Sequence, residues 1–246
     1  MPQESDGLHL TLGEARAASA ERRIFSSGSS SIDTLLDGGF GTRELVEVYG
    51  ASASGKTQIA FQAAVMAAGE GARVTFVDAE GTFRPERLVT MAKRRGLTPD
   101  VVLSKVFSRR ATTVAEQIAT VGDLQEDERI RDSRMIIVDT VSKNFAYEYG
   151  GQKGMLQRQS MLDVYLNRLA RDAYLNNRAV LLTSRVASVG NETPRKEVDI
   201  GGNTLRRFAH RVLHLQKSGS EVVASIVGQG GAERSVRCKL TDLGFE

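Results

Sequence analysis

One stretch restricts the fold of this chain more than any other. "ELVEVYGASASGKTQIAFQ", from Glu44 to Gln62, sets Gly50, four residues and then Gly55-Lys56-Thr57 between an apolar run and a helical pattern. Glycines at that spacing let backbone N–H groups curl around phosphate oxygens. The following helix turns its N-terminal dipole toward the same charge. Such a loop needs a strand before it and a helix after it, and both are expected here. Gly50, Ala51, Ser52, Ala53, Ser54, Gly55 and Gln58 form the candidate cradle. Lys56 would reach the β- and γ-phosphates of a nucleotide, and Thr57 would ligate Mg²⁺.

The rest of the chain continues the alternation. A short apolar helix around Ile32, Leu35 and Leu36 is stopped by Gly38-Gly39. Strands are expected at 44–49, 72–78, 134–140 and 179–184, with helices at 55–69, 84–96, 112–125 and 161–177. Pro85 opens the second of these helices and Gly96 closes it. Beyond residue 203 the chain turns strand-rich, at 211–217, 221–227 and 234–241. This order predicts an α/β core: a mainly parallel twisted sheet flanked by helices, with a C-terminal antiparallel strand extension. Residues 1–23 lack an apolar stripe and read as an N-terminal arm, which leaves 24–246 as one domain.

Acids gather where the strands should end. Asp139 follows four apolar residues in "RMIIVD", the Walker B pattern, and would hold Mg²⁺ directly or through water. Glu80 follows the strand of 72–78 and could polarise water for attack on a γ-phosphate. Asp78 is its rival, and position alone does not separate them.

Composition excludes several classes. The 246 residues suffice for one large core, 41% are apolar, and no apolar run is long enough to cross a bilayer. The N-terminus has no signal-peptide core, and the single Cys238 fits a reducing compartment, so the chain reads as cytoplasmic. A net charge of +3 does not by itself imply nucleic acid, although basic residues concentrate in 93–110 and 191–217. His210 and His214 have no partner at metal-site spacing, and Cys238 reads as a packed thiol.

Longer motifs narrow the function. "SSGSSSIDTLLDGGF", "VDAEGTFRPERL", "MIIVDTVSKNFAYEYGG" and "GGNTLRRFAHRVLHLQK" resemble the RecA-type recombinases, most of all the archaeal RadA and RadB branch. The resemblance runs from about residue 24 to the C-terminus. It implies a RecA-like core that binds ATP and Mg²⁺ and acts on single-stranded DNA in recombination and repair, in a nucleoid-associated setting. Glu80 becomes the water-activating acid, with Lys56 beside it in catalysis, and Arg87 an adenine contact. Two DNA-facing loops are implied. The first spans about 146–158 with Lys153 and Arg158, the second about 186–202 with Arg195 and Lys196. Double-stranded DNA, a full-length recombinase and further copies of the chain are the other partners the resemblance allows. A small-molecule P-loop kinase would leave "EGTFRPER" unexplained.

The chain departs from that family pattern in four places. There is no room for the helical N-terminal domain of full recombinases. The Phe-x-x-Ala segment that links neighbours is matched only by "LTLG", Leu10 to Gly13. Arg185 stands where relatives carry the glutamine that senses the γ-phosphate, and arginine only donates hydrogen bonds. Finally, "IVGQGGAERS" lacks the Asp and Pro with which a neighbour caps the nucleotide. These departures favour the RadB-like end of the family, and with it a recombination mediator that hydrolyses little ATP.

Overall fold

Apolar residues on alternate sides of each central strand decide the architecture. The computed structural model describes residues 21–151, 153–189, 196–199, 202–227 and 233–246. Its first half comprises β1 (Ile24–Phe25), α1 (Ser30–Leu35), β2 (Phe40–Gly41), β3 (Leu45–Gly50), α2 (Lys56–Gly69), β4 (Arg73–Asp78), α3 (Pro85–Arg94), α4 (Pro99–Lys105), β5 (Val106–Arg110) and α5 (Val114–Glu126). Its second half comprises β6 (Ser133–Asp139), α6 (Lys143–Glu148), α7 (Met155–Leu175), β7 (Ala179–Val189), β8 (Lys196–Asp199), α8 (Gly202–Phe208), β9 (Arg211–Ser218), β10 (Glu221–Val227), β11 (Glu233–Thr241) and β12 (Gly244–Phe245).

The main sheet has the order β12-β11-β10-β9-β3-β7-β6-β4-β5, and β8 pairs with β7. From β9 to β5 the strands are parallel, and β9 to β12 form the antiparallel extension. Val46, Val48, Val74, Phe76, Ile137 and Leu181 face the layer of α1 to α4. Leu45, Val77, Ile136, Val138, Val180 and Leu182 face the layer of α5 to α8. Central parallel strands are covered on both faces, so their sequences read as continuous apolar runs.

Several boundaries differ from the sequence reading, each for a local reason. Helix α5 begins after Thr113, whose hydroxyl accepts from the Glu116 amide while the Glu116 carboxylate accepts from the Thr113 amide, a capping box. Helix α7 starts at Met155, not near 161. Its first turn leaves Met155 and Leu156 exposed and so carries no buried stripe. Strand β5, "VFSRR", sits inside the basic window and is polar because it is an edge strand. Two of its cations are paired, Arg109 with Asp123 and Arg110 with Asp78. Much of the expected second loop is a hairpin stem, with Val186 opposite Asp199 and Val189 opposite Lys196. The arm at 1–20, with "LTLG", and the middle of "IVGQGGAERS" lie outside the described residues.

Candidate nucleotide site

Strand register brings the candidate residues to one edge of the sheet. Gly50 lies beside Arg185 in the β3–β7 ladder, and Asp78 beside Asp139 in the β4–β6 ladder. The C-terminal ends of β3, β4, β6 and β7 therefore open on the same crevice, where ligands of open parallel sheets gather.

The phosphate loop is built by backbone constraint. Gly55 has φ 101°, and a Cβ there would lie 2.5 Å from the Phe245 ring. At Gly50 a Cβ would lie 2.3 Å from the Leu215 carbonyl oxygen, so both positions require glycine. Lys56 Nζ curls back over the loop and donates to the Gly50 and Ala51 carbonyls at 2.8 and 2.6 Å. Ser52 and Ala53 form the exposed tip, whereas Ser54, Gly55 and Lys56 are buried. Gln58 Nε2 donates to the Thr241 carbonyl at 3.3 Å, which ties the loop's helix to the C-terminal extension.

Beside this loop lies a cavity of about 560 Å³ lined by Gly55, Lys56, Thr57, Phe61, Arg87 and Leu240, among others. Arg87 Nη2 donates to the Asp242 carbonyl at 3.0 Å and so stands in the cavity wall. Phe61, Phe76 and Phe83 pack ring on ring, at 5.1 to 5.7 Å between centroids. That cluster anchors the segment after Glu80 and fixes the floor on which α3 starts.

Thr57 Oγ1 donates to Asp139 Oδ2 at 2.8 Å, and Thr183 donates to Asp139 Oδ1. Burial pushes the Asp139 carboxyl above its ordinary range, and the two hydroxyls pull the other way. A hydroxyl and a carboxylate in contact are hard oxygen donors. They fit Mg²⁺, which takes one or two protein ligands and completes its shell with water and phosphate. Among the described residues no cluster of three metal-ligating side chains occurs. His210 Nδ1 accepts from the Leu45 amide at 3.1 Å, and His214 stacks on Tyr49. Cys238 is buried, and burial raises its thiol pKa.

The two rival acids part ways. Asp78 is consumed by a turn: its Oδ1 accepts from the Gly81 and Thr82 amides at 2.7 and 3.1 Å, and its Oδ2 from Phe83 at 3.3 Å. Glu80 has no such role. Its Oε1 accepts from Thr140 Oγ1 at 2.7 Å and its Oε2 from Arg185 Nη2 at 2.7 Å. Thr140, Thr183 and Lys143 carry no local sequence signal, since only strand register places them beside the acids.

The family profile described as Rad51 matches residues 21–243. The chain belongs to the Rad51 family. One Rad51-family relative is "DNA repair and recombination protein RadA" of Metallosphaera sedula. It is 34% identical over 238 residues, which cover 90% of this chain and 72% of the relative.

The residues expected to face DNA in this Rad51-family chain are less gathered. Of the expected first loop, Ala146–Glu148 end α6 and Met155–Arg158 open α7, which shortens the connection to 149–154. Lys153 is exposed and Arg158 half-buried, near the exposed Tyr147 and Leu156 in sequence. In the second, Lys196 opens β8 while Arg195 lies outside the described residues. No described helix is long and apolar enough to cross a membrane.

Proposed function

We propose that this chain is an ATP-dependent DNA-binding protein of recombination and repair, with DNA-linked hydrolysis of ATP. The observation that carries the reading is the convergence of Lys56, the Thr57–Asp139 pair and Glu80 on one sheet edge, in a chain of the Rad51 family. Lys56 and the loop amides hold the phosphates. Thr57 and Asp139 hold Mg²⁺, which when bound neutralises phosphate charge. Glu80 takes the proton of the attacking water, and Arg87, which lines the cavity, is the adenine contact. Lys153, Arg158, Arg195 and Lys196 supply cations for the DNA backbone, and Tyr147 offers an exposed ring for a base.

Turnover of ATP with and without single-stranded DNA tests this. Stimulation by DNA is expected. Glu80→Gln should abolish turnover and retain ATP binding, and Lys56→Ala should weaken ATP binding about ten- to a hundredfold. Unchanged turnover in the first variant removes Glu80 from its role, and unchanged affinity in the second removes the loop. A mediator that binds ATP and scarcely hydrolyses it is the second reading, favoured by Arg185 holding Glu80. Tight binding with negligible DNA-stimulated turnover selects it.

A further inference from the structure

The acid assigned to water activation is held from both sides. Thr140 donates to Glu80 Oε1, and Arg185 Nη2 donates to Oε2. Lys143 Nζ stands 3.9 Å from that same Oε2 and donates to the Ala79 carbonyl at 3.0 Å. Arg185 springs from the backbone beside Gly50, where the phosphate loop leaves the sheet, and reaches Glu80 two strands away on the β4 side. Its side chain is 52% exposed, against 8% for Glu80.

We propose that Arg185 is a cation for the γ-phosphate supplied by the same chain. It exchanges Glu80 for that phosphate when ATP and Mg²⁺ enter, and the exchange releases Glu80 for water. The proposal rests on the ATPase reading. Three features favour the exchange. The guanidinium end of the pair is half-exposed, and a phosphate offers it more charge and a geometry that it matches in a fork. Glu80 is not stranded, since Thr140 and Lys143 stay beside it. And Arg185 starts next to the loop that would hold the phosphates. In the step that follows, the water oxygen bonds to the γ-phosphorus and its proton passes to Glu80. The bond from that phosphorus to the bridging oxygen breaks, and ADP leaves.

Equilibrium binding of fluorescent ATPγS and fluorescent ADP, both with Mg²⁺, tests the exchange without turnover. Arg185→Ala and Arg185→Met should weaken ATPγS about tenfold, the worth of one charge-assisted contact, and leave ADP unchanged. Glu80→Gln should tighten ATPγS several-fold, because it frees Arg185, and should do nothing in an Arg185→Ala background. Equal effects on both nucleotides, or a Glu80→Gln gain that survives without Arg185, overturn the exchange. Wild-type chain that binds neither nucleotide, or Lys56→Ala that binds both as well as wild type, overturns the ATPase reading itself. Normal binding that ignores Arg185 overturns the exchange alone.

Discussion

Two arginines bracket the apolar run of β7, and each holds an acid, at opposite ends of the sheet. Arg178 precedes the strand. Its Nε lies 3.2 Å from Asp172 Oδ2, with side chains only 2% and 1% exposed. Arg178 also donates to the Leu124 and Arg131 carbonyls at 2.9 Å each, and Asp172 accepts from Asn176. Arg185 lies within the strand, and its partner Glu80 faces the crevice. The functional groups are the same and the surroundings are not. The closed pair pins the ends of α5 and α7 to the start of β7. The open pair leaves a fork of donors that a phosphate can reach. Exposure, not pairing, separates a structural ion pair from one that can change partners.

The closed pair is where the contrast breaks most severely. Burial pushes the Asp172 carboxyl up and the Arg178 guanidinium down, each partly countered by the other's charge. Asp172→Asn keeps the shape and the Asn176 neighbour but leaves Arg178 charged and buried. Loss of one partner from such a pair costs about 3–5 kcal/mol. Urea unfolding should register that loss, and an unchanged midpoint would mean that the buried pair is no tighter than the open one.

Asp139, in the crevice, should shift stability the other way. Its folded pKa is held above the ordinary aspartate value of 3.8, chiefly by burial. Between the two values the folded chain retains a proton that the unfolded chain has lost. This residue's contribution to stability therefore falls as pH rises through that window. Asp139→Asn should remove the fall and stabilise the nucleotide-free chain by about 1–2 kcal/mol at neutral pH. It should also lose the Mg²⁺-dependent part of ATP affinity. Unfolding curves from pH 4 to 8 check the first statement, and nucleotide titration with and without Mg²⁺ the second. A variant less stable than wild type at pH 8 would place Asp139 with the closed pair.

The contrast also marks what could be read beforehand. Gly50, Lys56, Thr57 and Asp139 announce themselves through local spacing, because a strand end followed by a turn is a short-range pattern, whereas spacing left Glu80 level with Asp78 and only the family resemblance chose between them. The layered α/β core followed from the apolar runs for the same reason. Register is not local. Nothing in "DTVSK" says that Thr140 and Lys143 meet Glu80, or in "LLTS" that Thr183 meets Asp139. "NNRAV" only joins an expected helix to an expected strand, yet its Arg178 is among the largest fully buried side chains. Arg185 stood out as a departure from the family pattern, but its partner appeared only with the fold.

The smallest effect is expected at the open pair, and it is the sharper test of the two classes. Arg185→Ala removes a hydrogen-bonded ion pair of 2.7 Å, which geometry alone would rank above the 3.2 Å contact of Arg178. Arg185 is the half-exposed partner, so water solvates its freed charge almost as well and salt screens the pair. Thr140 and Lys143 also keep Glu80 from being left alone. The unfolding midpoint should therefore match wild type to within about 0.5 kcal/mol, at both low and high salt. A loss comparable to that of Asp172→Asn would make Arg185 a structural residue, and distance would then predict its worth better than exposure does.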